Sequence, residues 1–159
     1  MARTKSVQDP LAALPRGCTN LQLRQLTRRV TQHYDTQMAS AGLKTTQYSL
    51  LSAVLSLGTA RPADLAAALK MDPSTLTRNL KPLISAGWVQ MSAGADARTR
   101  AVTLTDAGRN KRAQAQRHWK AAQLSLNHSL GVARVSALHA LIQESLALLA
   151  PDETPAEDD

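Results

Sequence analysis

Between residues 74 and 100 the chain sets out two groups of hydrogen-bond donors at spacings that suit contact with an anionic surface. Ser74, Arg78, Lys81 and Ser85 recur at three- and four-residue intervals and so share one arc of a helix, with Thr75 and Thr77 at its edges. Hydroxyl, guanidinium and ammonium groups donate to phosphate oxygens and to base edges, which is the chemistry of nucleic-acid recognition. Arg98 and Arg100 form the second group, near the tip of a hairpin with little to pack against. A basic loop of that kind reaches into a minor groove. Alone, each group is more commonly a solvated helix face or an ordinary set of loop charges, so the weight falls on the elements that would hold them.

Those elements follow one another with hardly a spare residue. Pro62 to Leu69 opens with a proline suited to a first helical turn and continues in strong helix formers, and Lys70-Met71 closes it. Asp72 is a good N-cap and Pro73 a good first helical residue, so a second helix opens at once. Its buried face is expected to be Leu76, Leu80, Leu83 and Ile84, with Pro82 bending it near the end. Gly87 then stops the helix. Trp88 to Met91 and Ala101 to Leu104 read as two strands around the turn residues Ser92, Gly94 and Asp96. Helix, tight turn, helix and basic hairpin make a winged helix-turn-helix, and the fold class expected is mainly α with a small β-hairpin wing.

At this point the residues carry a resemblance. Asp64-Leu65-Ala66, Met71 through Leu80, Leu83, Gly87, Val89, Asp96 through Arg100 and Leu104 through Gly108 are together similar to the MarR family of bacterial transcriptional regulators, over most of the chain from about Cys18 to about Leu149. The resemblance implies that Ser74, Thr75, Thr77, Arg78 and Lys81 face a major groove while Arg98 and Arg100 engage the adjacent minor groove. It also implies that Asp96 steadies Arg98. Ala97 stands where many relatives carry a second arginine, which implies either a weaker wing contact or more weight on Arg100. A ligand pocket bordered by Tyr34, Tyr48 and Trp119 is implied by the family alone, since no spacing demonstrates it.

Nineteen basic and twelve acidic residues give the chain a formal charge of +7. Five of the acids, Asp152, Glu153, Glu157, Asp158 and Asp159, crowd the last eight residues, so residues 1 to 151 hold nineteen bases against seven acids, net +12. An anionic partner is expected, double-stranded DNA first. A membrane is the weaker rival, because no stretch approaches the 18 apolar residues of a span. Met1 to Pro10 have no apolar run long enough for a secretion signal, and a lone cysteine forms no intramolecular disulfide, so cytoplasmic residence is expected.

The remaining helices carry narrow apolar seams. Leu23, Leu26, Val30 and Tyr34 stripe the first, which Gly42 ends; Tyr48, Leu51, Val54 and Leu55 stripe the second, from Thr45 or Thr46. After the hairpin, Thr105 caps a long helix with Ala115, Trp119, Ala122 and Leu126 on its seam, and Gly131 separates it from a last helix with Val135, Leu138, Ile142, Leu146 and Leu149. At 159 residues with 43% apolar content the chain is one domain's worth. It offers no second core for both terminal helices, and a homodimer supplies one. The expected organisation is an N-terminal arm over 1–17, dimerisation helices over 18–44 and 105–150, a DNA-binding lobe over 45–104 and a disordered acidic tail over 151–159.

Metal and catalysis find no footing. His33, His118, His128 and His139 are not at metal-ligand spacing, no cofactor motif is present, and no nucleophile elbow, metalloprotease helix or phosphate-binding glycine loop occurs. No enzyme is expected. Cys18 has two readings. It is an incidental or packing cysteine, or, at a helix start next but one to Arg16, a thiol with depressed pKa that senses oxidation. Peroxide-sensing members of the resembled family use a cysteine in a similar region, but Gly17-Cys18-Thr19-Asn20 does not reproduce their motif. The function expected is a homodimeric, sequence-specific transcriptional regulator, a repressor released by a small ligand or by oxidation, on a pseudo-palindromic site. The alternatives are a winged-helix module for protein–protein contact and an architectural DNA binder without sequence preference.

Overall fold

The structure, a computed structural model, describes residues 16–94 and 99–150. The chain divides into two compact units, residues 1–32 and 33–159. In chain order the elements are α1 (Thr19–Met38), a 3-10 turn (Ala39–Ala41), α2 (Thr45–Leu57), α3 (Pro62–Ala68), α4 (Pro73–Ser85), β1 (Val89–Ala93), β2 (Arg100–Leu104), α5 (Asp106–Leu130) and α6 (Val132–Leu148).

The first unit carries the start of α1. Cys18 sits just before the helix, its carbonyl accepting from the Gln22 amide at 3.1 Å, and its thiol is exposed. Leu23 and Leu26 of the expected seam are exposed, as is Leu21.

The core lies in the second unit. Met38, Leu51, Val54, Leu65, Leu76, Leu83, Val89 and Val102 are its largest fully buried side chains, contributed by α1, α2, α3, α4 and both strands. The hairpin is antiparallel with Val89 opposite Leu104 and Ala93 opposite Arg100. Ala60 adds an isolated bridge to Val102, bonded in both directions at 2.8 and 3.2 Å. Two expected core positions are corrected. On α2 the buried set is Tyr48, Leu50, Leu51 and Val54, while Leu55 is exposed. On α4 Ile84 is exposed and the buried set is Leu76, Leu80 and Leu83. In both helices the inward arc is narrower than the apolar residues available to fill it.

Pro82 lies inside α4, and the helix continues past it to Ser85, with the Ala86 amide donating to the Pro82 carbonyl at 3.0 Å. Pro82 has no N–H, so it makes no bond toward the preceding turn. The base of the hairpin is locked to α5. Thr105 Oγ1 donates to the Gly87 carbonyl at 2.6 Å and accepts from the Gly108 amide at 3.0 Å, while the Thr105 amide donates to the Trp88 carbonyl at 3.1 Å.

Three helix ends share one closing pattern. After the 3-10 turn, Gly42 donates to Ala39 and Leu43 to Met38; after α3, Lys70 donates to Ala67 and Met71 to Ala66; after α4, Gly87 donates to Ile84 and Trp88 to Leu83. The pattern places its next-to-last residue in the left-handed region, which glycine enters freely and other residues at a cost of roughly 1–2 kcal/mol. Gly42 and Gly87 meet that demand at φ 63° and 71°, whereas Lys70 meets it at φ 51° as the one non-glycine residue of positive φ among the described residues. Lys70→Gly should therefore raise stability by about 0.5–1 kcal/mol, the relief exceeding the entropy that glycine adds to the unfolded chain. Urea denaturation checks this, and a lower midpoint for Lys70→Gly would refute it.

Candidate nucleic-acid interface

The arc of α4 that the core leaves free is held in place by its first residues. Asp72 adopts an extended conformation ahead of the helix and caps it, one carboxylate oxygen accepting from the Thr75 amide at 2.8 Å and from Ser74 Oγ at 2.6 Å, the other from Thr75 Oγ1 at 2.6 Å. These bonds hold the Asp72 carboxyl well below the usual carboxylate range. With a depressed folded-state pKa, the cap contributes its full stability above the ordinary Asp value near 4 and loses it as pH falls below that.

Beyond the cap, Ser74, Thr77, Arg78, Lys81 and Ser85 line one side of an open groove of about 430 Å³, with Pro62, Leu80, Ile84 and Met91 supplying its apolar surface. Ile84, displaced from the core, therefore finds its place here. Arg78 and Lys81 are exposed, and among the described residues neither is paired with an acid, the ion pair there being Arg61 with Asp64 at 2.8 Å. That pair is bidentate, with Arg61 Nε on the second Asp64 oxygen at 2.9 Å, so Arg61 spends its fork at the start of α3.

The structure brings Ser74, Thr77, Arg78 and Lys81 to one face. Thr75 is half-buried and turned to the cap, outside the groove lining. Arg100 is exposed at the start of β2, opposite Ala93. The hairpin is closed by the Gly94 amide donating to the Thr99 carbonyl at 2.8 Å, and Asp96 and Arg98 lie outside the described residues.

Of the aromatic residues expected around a ligand, Tyr48 and Trp119 do meet, their rings stacked at 5.8 Å and 24°. Arg112 covers Tyr48 at 5.5 Å and bonds Ser52 at 3.2 Å and Gln116 at 3.0 Å. No sequence signal singled out Arg112, which looks like any helix-surface charge until α2 and α5 pack. Tyr34 is buried, its hydroxyl donating to Gln123 Oε1 at 2.5 Å, and burial raises the pKa of its phenol. Among the described residues no cluster of three His, Cys, Asp or Glu could hold a metal ion, and no helix is long and apolar enough to cross a membrane.

Two short helices joined by a tight turn, a second helix with a polar outer face and a two-stranded hairpin define a winged helix-turn-helix protein. The comparisons narrow the class. The model of the MarR family matches residues 41–99. The M. tuberculosis transcriptional regulator MOSR, solved in complex with DNA, is 33% identical, with 84% of this chain and 100% of that chain covered and a TM-score of 0.71. A mutant MarR from E. coli complexed with operator DNA shares the fold at a TM-score of 0.73 and 22% identity, over 80% of this chain and 92% of that one. The uncharacterized HTH-type transcriptional regulator YwoH of Bacillus subtilis (strain 168) is 30% identical over 90 residues, a match spanning 57% of this chain and 66% of that protein. The chain belongs to the MarR family.

Proposed function

We propose that the protein is a transcriptional regulator that binds double-stranded DNA in a sequence-specific way, as a homodimer and as a repressor. The observation that carries this reading is the open face of α4, where Ser74, Thr77, Arg78 and Lys81 stand together and no acidic residue lines the groove among the described residues. A solvated face usually mixes charges, whereas a face for a polyanion keeps one sign. The DNA bound to the similar MOSR structure supports it. In this reading residues 45–104 form the DNA-binding lobe, α4 enters the major groove, and Arg100, with Arg98 supported by Asp96, reaches the minor groove and backbone.

Residues 18–44 and 105–150 are the dimerisation helices of this proposal. On α6 Leu141, Leu146 and Leu148, with Leu149 just after it, are 61%, 53%, 79% and 81% exposed, apolar residues that one chain leaves to water. A second copy of the chain would cover them. The signal that releases DNA is a small ligand or oxidation of the exposed Cys18. The protein's place is the cytoplasm, and it is not an enzyme.

Fluorescence anisotropy with a duplex recovered from intergenic DNA near the gene tests the reading. Affinity should fall steeply with salt and exceed that for an unrelated duplex by about a thousandfold or more. Arg78→Ala should lose about 1–3 kcal/mol and relax preference at one base pair, while Lys81→Ala should weaken all duplexes alike and lower the salt slope by about one. Equal affinity of the parent for specific and unrelated duplexes would reduce the protein to a non-specific binder, and no binding would exclude DNA altogether. In the same assay mild peroxide should weaken the parent and spare Cys18→Ser; equal loss in both would leave the ligand as the signal.

A further inference from the structure

The hydroxyl hydrogens in the first part of the recognition helix, those of Ser74, Thr75 and Thr77, are already committed. Ser74 Oγ donates to Asp72 Oδ1 at 2.6 Å, Thr75 Oγ1 to Asp72 Oδ2 at 2.6 Å, and Thr77 Oγ1 to the Pro73 carbonyl at 2.9 Å. A serine or threonine hydroxyl has one hydrogen and two acceptor lone pairs, so an approaching duplex meets lone pairs at these positions. A hydrogen bond to a carboxylate is roughly twice as strong as one between neutral groups, so a neutral base acceptor does not draw the Ser74 hydrogen away from Asp72. Thr77 closes its bond within its own helix, back to the carbonyl four residues earlier. Phosphate oxygens only accept, so they gain a hydrogen from Ser74 or Thr77 only by displacing one of these bonds.

We propose that Ser74 and Thr77 read DNA as hydrogen-bond acceptors, each facing an exocyclic amino group in the major groove, adenine N6 or cytosine N4, with Asp72 as the positioning residue that imposes this direction on Ser74. The inference rests on the DNA-binding reading above. It divides the exposed face of α4 by chemistry. Arg78 and Lys81 carry donors only and take guanine O6 and N7 or phosphate, while the two hydroxyls take the amino groups. Thr75, half-buried and outside the groove, serves the cap and not the readout.

The test is a double-mutant cycle between protein hydroxyls and single base atoms, using the full chain and its best duplex selected from a random pool. The duplex is altered one atom at a time. Purine replaces adenine or 2-pyrimidinone replaces cytosine to delete the amino group, a 7-deaza purine deletes the N7 acceptor, and a methylphosphonate neutralises one phosphate. Deleting the contacted amino group should weaken the parent roughly fivefold, the size of one neutral hydrogen bond, and should cost Ser74→Ala or Thr77→Val nothing further. The 7-deaza and methylphosphonate duplexes should cost parent and variants equally. In Asp72→Ala, which frees the Ser74 hydrogen, coupling to the amino group should fall and coupling to N7 or phosphate should appear. Coupling of the parent hydroxyls to N7 or phosphate, coupling to no atom, or an unchanged pattern in Asp72→Ala would each overturn the proposal. A parent that prefers no duplex from the pool would overturn the DNA reading beneath it, a result distinct from all three.

Discussion

Gly108→Ala should lower stability by about 3 kcal/mol, even though alanine is the better helix former. A Cβ at Gly108 would lie 1.9 Å from the Trp88 carbonyl oxygen and 2.8 Å from its carbonyl carbon. Both atoms are backbone, so no side-chain rotation relieves the overlap. The first turn of α5 has to back away, and that stretches the bonds through which Thr105 holds the hairpin base to the helix. Helix propensity favours the substitution by about 1 kcal/mol. Overpacking typically costs about 1–3 kcal/mol, and weakening the Thr105 cap costs about 1 more. A contact this close, against backbone, lies at the upper end of the overpacking range, so the steric loss wins. Urea denaturation should show a midpoint about 1–2 M lower for Gly108→Ala. A midpoint equal to or above the parent's would mean that α5 does not need this close approach.

Leu146→Asp should convert the protein from dimer to monomer at micromolar concentration. Leu146 is 53% exposed in the single chain, so an aspartate there is tolerated by the protomer's own fold. In the proposed dimer it would be an unpaired carboxylate against an apolar surface, in each of two symmetry-related positions. Weakening of the dimer by at least a hundredfold is expected, about 2.7 kcal/mol. Light scattering should give the dimer mass for the parent and the monomer mass for Leu146→Asp, with helical circular dichroism retained. A monomer mass for the parent would remove the dimer from the proposal. A dimer in both would move the interface away from this part of α6. DNA affinity should fall together with dimerisation, because one half-site holds only half of the phosphate and base contacts.

Signals carried within a few residues were legible in the chain. Asp72-Pro73 opens α4 as a cap followed by a first-turn proline, and Thr105 caps α5 by accepting from the Gly108 amide. Gly87 ends α4, and the hairpin strands extend one to two residues beyond those expected at their turn ends. Each depends on a side chain bonding its own backbone or on a dihedral that one residue type prefers. The polar arc of α4 was legible for the same reason, since helical spacing alone puts Ser74, Arg78 and Lys81 on one side.

Choices between equally apolar residues were not legible. Periodicity offered Leu55 and Ile84 to the core, and packing took Leu50 instead and turned Ile84 to the groove beside Met91. Ala60 bridging Val102 has no pattern to announce it, because a single bridged residue has no period. Lys70 gives no hint of its left-handed conformation; that conformation follows from the way α3 must close before Asp72 can cap α4. Gly108 reads as one more small residue until Trp88 is seen against it.

The amino-acid sequence by itself determined the order of elements, the caps that start them and the single sign of charge on the outward arc of α4, because these are set by spacing and by contacts within one turn. Only the tertiary structure decided which of several leucines are buried and how closely α5 approaches the hairpin, and only the local geometry of the cap decided that Asp72 takes the hydroxyl hydrogens of Ser74 and Thr75. Burial and close approach depend on surfaces brought together from distant parts of the chain. The direction of a hydroxyl depends on distances of a few tenths of an ångström, which no pattern of residue types specifies.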